Sequence, residues 1–233
     1  MSATTVTAAL RRSQLYRRHI DLGGHFEQVA ESTLVSHYRS VEEERAQVKT
    51  LALVDLSALP RIGFKGLGAP DWAAAQGMTL PAQPNRATLQ DDGTLIARLS
   101  QTELLIASNL SGASKHIAVA VSAVADTTLA ERVYSLPRAD SHSWLVLCGD
   151  LAAETLAKVC GVDLRPHKFA NGEVAQTSIA KINGVLIRND YGDTLAYSIF
   201  SDSSSVEFLW DSLLDAMAEF NGAPVGVQAL RDC

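Results

Sequence analysis

Arg61-Ile-Gly-Phe-Lys-Gly66 and, farther on, Trp144-Leu-Val-Leu-Cys-Gly149 are the two stretches on which the fold turns. Each is a short apolar run that stops at glycine. Each leads at once into a helix-forming segment, Ala69-Pro-Asp-Trp-Ala-Ala-Ala75 after the first and Leu151-Ala-Ala-Glu-Thr-Leu-Ala-Lys158 after the second. Beyond these, Thr102-Glu-Leu-Leu-Ile-Ala-Ser108 precedes an amphipathic helix at residues 113–124, just as Ala196-Tyr-Ser-Ile-Phe-Ser201 precedes one at 205–217. The offset between copies drifts from roughly 83 to about 92 residues, too long for a solenoid repeat. The pattern predicts an α+β fold of two pseudo-symmetric, ferredoxin-like α/β halves packed as one body.

With 233 residues, 47% of them apolar, the chain can bury a substantial core. The net charge is −6, and Lys and Arg are scattered apart from Arg11-Arg12 and Arg17-Arg18. A surface that tracks nucleic-acid phosphates is therefore not expected. No apolar run approaches the ~20 residues of a membrane helix and no secretory pattern opens the chain, so a cytoplasmic protein is expected. Cys148, Cys160 and Cys233 are odd in number and lack C-x-x-C spacing, which argues against a disulfide framework and a zinc knuckle.

Residues 1–12 read as a loose arm, and 13–233 as one body with halves at about 13–130 and 131–233. Ser40-Val-Glu-Glu43 has the form of a capping box opening a solvated helix. Asp91-Asp92-Gly93, between Ala87-Thr-Leu89 and Leu95-Ile-Ala-Arg-Leu99, is a strong hairpin signal. The helix of 205–217 carries Val206, Leu209, Trp210, Leu213, Leu214 and Met217 on one face and stops at Asn221-Gly222. That face is a candidate for docking a partner.

Chemistry-bearing patterns are sparse. His19, His25, His37, His116, His142 and His167 never fall at H-x-x-x-H spacing, so no metal site is expected. No hydrolase elbow, phosphate-binding loop or dinucleotide fingerprint occurs. Asp91 and Asp92 read as turn residues, and Trp72, Trp144 and Trp210 as core residues.

The order of segments resembles the N-terminal part of the glycine-cleavage T-protein, a folate-dependent aminomethyltransferase family. Ser13-Gln-Leu-Tyr-Arg-Arg-His-Ile-Asp-Leu-Gly-Gly24 looks like that family's opening, and residues 41–57 like its next helix and strand. Arg188-Asn-Asp-Tyr-Gly-Asp193 stands at its Gly-Tyr-Thr-Gly-Glu loop. Within this superfamily, Asp163-Leu-Arg-Pro-His-Lys-Phe-Ala-Asn-Gly172, Ala175-Gln-Thr-Ser-Ile-Ala180 and Phe208-Leu-Trp-Asp-Ser-Leu-Leu-Asp-Ala216 resemble the gamma subunits of heterotetrameric sarcosine oxidase and N-methylglutamate dehydrogenase.

The resemblance implies a T-protein N-terminal-domain-like fold and tetrahydrofolate as the possible ligand, contacted at Tyr191, Asp193 and Arg231. It also implies larger flavoprotein partners that carry the flavins and NAD. One departure bears on activity. Where the family places its catalytic Asp, this chain has Ile96 and Ala97, and an aliphatic side chain relays no proton. The resulting expectation is a noncatalytic gamma-type subunit of a complex that oxidatively demethylates an N-methyl amino acid. The alternatives are a stand-alone tetrahydrofolate-dependent transferase using Asp193 or a folate-binding regulatory module.

Overall fold

Apolar residues recur with period two along the strands, which sends alternate side chains into two different layers and decides the architecture. The computed structural model describes residues 10–233. It opens with α1 (Tyr16–Asp21), a hairpin of β1 (His25–Val29) and β2 (Ser32–His37), α2 (Val41–Thr50) and β3 (Ala52–Asp55). The first repeat follows as β4 (Arg61–Lys65), α3 (Ala69–Ala75), β5 (Arg86–Leu89), β6 (Leu95–Ser100), β7 (Glu103–Ala107), α4 (Lys115–Ala125) and β8 (Tyr134–Leu136). After the single turn of α5 (Arg138–Ser141) comes the second, as β9 (His142–Cys148), α6 (Ala152–Ala157), β10 (Val174–Ile179), β11 (Ile182–Arg188) and β12 (Ala196–Asp202). It closes with α7 (Val206–Ala218), β13 (Ala223–Pro224) and the short α8 (Val227–Arg231).

The first repeat makes a five-stranded sheet in the order β5-β6-β7-β4-β8, and the second a six-stranded sheet, β10-β11-β12-β9-β3-β13. Strands β4, β6, β7 and β8 with α3 and α4 have ferredoxin-like connectivity, and β5 is added beside β6. In the second sheet the place that corresponds to β8 is taken by β3, which pairs Val54 with Val146 of β9.

The two glycines that end the opening motifs fit this correspondence. Gly66 and Gly149 both have positive φ, +128° and +109°. A Cβ on Gly66 would lie 1.9 Å from the carbonyl oxygen of Arg132, just before β8, and one on Gly149 would lie 2.5 Å from that of Thr50, just before β3. Backbone crosses backbone at the same point of each repeat, and only glycine leaves room.

The two sheets pack face to face. Leu95, Ala97, Leu105 and Ala107 of the first meet Val54, Trp144, Val146, Ile187 and Phe200 of the second in one buried layer. The alternate residues face outward. Ile62, Phe64, Ile96, Leu104 and Ile106 pack under α3 and α4, and Leu53, Leu145, Leu147, Tyr197 and Ile199 pack under α6 and α7. Sheets covered on both faces account for the near-continuous apolar runs in the sequence.

Three expectations need correction. The spatial units are not residues 13–130 and 131–233, because β3 from before the first repeat joins the second sheet and β8 from after residue 130 joins the first. Of the arm at 1–12, residues 1–9 lie outside those described, while Arg11 pairs through its backbone with Glu31 and Thr33 and bonds Asp140. Finally, Trp210 is 1% exposed and packs edge-on to His19 at 5.2 Å, so the apolar face of α7 is internal and Phe208 is the exposed aromatic of that helix.

Ser40 and Glu43 form the expected capping box at the start of α2. That helix is not simply solvated, since the fully buried Glu44 accepts from the backbone N–H groups of Tyr38, Arg39 and Gly226. One carboxylate thus ties the C-terminal segment to the end of β2. The Asp91–Gly93 hairpin forms as predicted, with Gly93 at φ +79° and β5 paired to β6.

Candidate functional site

At one end of the inter-sheet layer, where β5, β6, β7 and β11 meet their loops, the packing opens into a cavity of about 210 Å³. Leu89, Leu95, Ser108, Leu110, Trp144 and Tyr191 contribute to its wall, so both repeats build it. Trp144 is held by its indole N–H, which donates to Ser198 Oγ at 3.1 Å, and by stacking on Phe200 at 5.4 Å. Burial pushes the Tyr191 phenol well above the ordinary tyrosine range, so it stays neutral.

The polar groups of this wall are largely spent. Asp190 accepts from Arg188 Nη2 at 2.7 Å, from Arg188 Nε at 3.1 Å and from the Ala196 N–H at 3.2 Å. Asn109 donates to the Asp92 carbonyl at 2.7 Å and accepts from Ser111. Ser108 differs: its residue is 2% exposed and its buried hydroxyl has no hydrogen-bond partner. A hydroxyl closed off from water and left without a partner is costly.

The residues singled out in the sequence are only partly brought together. Tyr191 lines the cavity; Asp193, two residues on, is exposed and is not part of the wall. Arg231 reaches the Leu110 carbonyl behind the wall at 3.0 Å, but its other guanidinium nitrogen is committed to Glu27. Ile96 and Ala97 are both 0% exposed, one under the helices of the first sheet and the other inside the inter-sheet layer. No proton-handling group stands there.

Tetrahydrofolate with its glutamate tail is larger than this cavity by itself, and Arg231 is engaged by Glu27.

Asp92 is more than a turn residue. Burial opposes its charge, but hydrogen bonds from the Thr94 hydroxyl and backbone, together with His116, hold its carboxyl well below the usual range. It also accepts from the Lys115 N–H at 3.0 Å and so caps α4. Its role is structural.

The opposite end of the same layer is charged. Arg138 on α5 donates to Glu103 Oε1 at 2.5 Å and to His142 Nε2 at 2.9 Å, and His142 Nδ1 lies 2.8 Å from Ser141 Oγ. Burial, then the charges of Arg138 and Arg61, push His142 down to about 4. Here Arg138 and Glu103 pair with each other, although Arg138 Nε has no hydrogen-bond partner.

Sequence reasoning missed Ser108 altogether, because a lone serine after an apolar strand carries no signal. It also missed the buried chain Tyr38–His19–Asp55, in which the Tyr38 hydroxyl and His19 Nδ1 lie 2.7 Å apart and His19 Nε2 and Asp55 Oδ2 2.8 Å apart. It joins α1, β2 and β3, so we assign it to the scaffold. Among the described residues, no three His, Cys, Asp or Glu side chains converge as a metal site, and no helix is long and apolar enough to cross a membrane.

Comparison with known proteins places this geometry in a family. Residues 15–233 match the GCVT N-terminal domain. The curated aminomethyltransferase of Acidobacterium capsulatum is 26% identical over 97% of this chain, which spans 62% of that protein. Among solved structures, a chain of heterotetrameric sarcosine oxidase from Corynebacterium sp. U-96 aligns with a TM-score of 0.62 at 26% identity, covering 77% of this chain and 92% of that one. Aminomethyltransferase T of the glycine cleavage system from Bartonella henselae aligns with a TM-score of 0.72 at 17% identity, over 95% of this chain and 61% of that one. The chain belongs to the GCVT N-terminal domain family.

Proposed function

With that family membership as premise, we propose that the chain is a noncatalytic gamma-type subunit of a flavin-dependent complex that oxidatively demethylates an N-methyl amino acid of the sarcosine or N-methylglutamate type. The observation that carries the reading is the pair Ile96 and Ala97, fully buried hydrocarbon where the resemblance puts a catalytic acid. A carboxylate there would need an open, hydrated or hydrogen-bonded place; tight packing against α3 and α4 on one side and the second sheet on the other leaves none. The likeness to a chain of heterotetrameric sarcosine oxidase supplies the kind of assembly.

In this reading the chain works in the cytoplasm as a rigid piece between larger flavoprotein subunits, which hold the flavins and NAD and carry out the oxidation. The test is co-expression with the flavoprotein subunits of such an oxidase or dehydrogenase from the same organism. Co-elution at a fixed stoichiometry, with amine oxidation that requires the flavoproteins, is expected. A chain that elutes alone sinks the proposal.

A second reading is favoured by the likeness to a curated aminomethyltransferase over nearly the whole chain. It makes the chain a tetrahydrofolate-dependent transferase or folate-binding module acting through Asp193. Calorimetry separates the two. Micromolar binding of tetrahydrofolate, about −8 kcal/mol, lost in Asp193→Ala, would support the second reading, and no binding would support the first.

A further inference from the structure

We propose that the groove between α7, the end of α6 and the β10–β11 turn is the docking site for a basic segment of a partner protein. That segment inserts an apolar side chain beside Phe208 and pairs lysine or arginine with Glu207 and Asp215. The inference rests on the subunit reading for the existence of a flavoprotein partner and adds where that partner sits.

The shape is in place before anything binds. The groove holds about 590 Å³, and Val159, Cys160, Ala180 and Phe208 give it carbon surface. The Ala180 N–H donates to the Val159 carbonyl at 2.8 Å, which fixes the β10–β11 turn against the loop after α6. A preformed groove spares a partner the cost of ordering one. Phe208 is 57% exposed at its lip, whereas Leu209, Trp210 and Leu213 of the same helix are buried. An aromatic ring left in water beside a concave apolar surface is the kind of group that fills the centre of an interface.

The charge of the rim selects the partner. Glu207, Asp211, Asp215 and Glu219 follow one another at four-residue steps along the exposed side of α7, and no Lys or Arg occurs from Val206 to Phe220. Like charges at this spacing oppose helix formation. Arg18 relieves Asp211 and Lys158 relieves Glu219, while Glu207 and Asp215 have no ion-pair partner among the described residues. Lys158 is spent, since its ammonium also donates to the Ala216 carbonyl at 2.8 Å. Lys181, on the turn across the groove, is the one lining cation without an acid partner among the described residues. Two unpaired carboxylates against one lysine leave a rim that attracts cations.

Other occupants fail on sign. A second copy docked through the same face about a twofold axis would bring the carboxylates of one α7 toward those of the other. Nucleic acid and an anionic lipid surface would be repelled likewise. A protein segment that carries lysine or arginine around an apolar residue meets both the groove and its rim.

The test titrates the purified full chain into the flavoprotein subunits with which it is co-expressed, and reads affinity by surface plasmon resonance. Phe208→Ser is expected to weaken the complex by about tenfold or more, the loss of an interface anchor. Glu207→Lys combined with Asp215→Lys is expected to weaken it to a similar degree and to remove most of its salt dependence. Glu131→Lys, at a side chain 92% exposed before β8 of the first sheet, alters charge with the same sign and is expected to change affinity by less than about twofold. Thermal unfolding of each variant shows that it is folded. If the parent chain forms no complex, the subunit reading and this inference fail together. If both groove variants bind as the parent does, or Glu131→Lys weakens binding as much as they do, this inference fails alone. Self-association of the chain that is lost in Phe208→Ser would assign the groove to a second copy and overturn it as well.

Discussion

The two ends of the inter-sheet layer are built by the same strands and have opposite chemistry. At the Tyr191 end, β6 and β7 present Leu95 and Ser108 to Trp144, and the charges nearby are paired off behind the wall. At the other end, β7 starts with Glu103, whose carboxylate engages Arg138 and, at 3.7 Å, Lys65, while His142 is kept neutral beside them. The difference shows how one scaffold divides its tasks. An ion-pair network pins α5, the turn joining the repeats, and the apolar end keeps an internal space walled mainly by hydrocarbon. Charges in a low-dielectric interior are costly unless paired, so Arg138 and Glu103 pair at the charged end, with only Arg138 Nε left without a partner, and the other end is nearly charge-free.

Substitutions can break or sharpen this contrast. The largest effect is expected from Ile96→Asp, which restores a carboxylate near the place of the family's acid but buries it without a partner. A loss of more than about 4 kcal/mol, or failure to fold, should appear in denaturant unfolding. Tolerance of that substitution would show that the region is wetter than its burial implies. Next, Trp144→Ala removes the indole between the cavity and Phe200 and should cost about 3–5 kcal/mol by the same measurement.

Arg138→Leu opens the charged end and leaves Glu103 with the distant Lys65 alone, for a loss of about 1–3 kcal/mol. A loss as large as that of Trp144→Ala would reverse the ranking of the two ends. The pH dependence follows from His142. Its folded pKa, about 4, lies below the ordinary value of 6.5. Between those values the unfolded chain takes up a proton that the folded chain refuses, so His142 favours folding fully above pH 6.5 and loses that contribution as pH falls toward 4. The drop in unfolding midpoint from pH 7 to pH 4.5 should therefore be smaller in His142→Gln than in the parent chain. The smallest effect is expected for Asp193→Ala: the residue is exposed and outside the cavity wall, so stability should change by no more than about 0.5 kcal/mol.

Much of the fold was legible because its signals are local. The glycine-ended strands, the capping box of Ser40 and Glu43, the Asp91–Gly93 turn and the stop at Asn221-Gly222 each depend on a few neighbouring residues, and each formed as read. The candidate site was far less legible. Tyr191 lines the cavity, but Asp193, two residues away, does not, since a loop's direction is set by what it packs against and not by its composition. Ser108 became visible only when the surrounding side chains left its hydroxyl alone.

The chain's pattern of apolar runs, glycines and caps determined two related α/β repeats and a buried hydrocarbon pair at Ile96 and Ala97, because periodicity and backbone sterics act over a few residues. Only the tertiary structure decided that β3 crosses to complete the second sheet, that Trp210 turns inward against His19, and that a cavity of about 210 Å³ stays open beside Ser108. Those outcomes depend on which distant surfaces exclude water together, and burial of that kind has no counterpart in the order of residues along the chain.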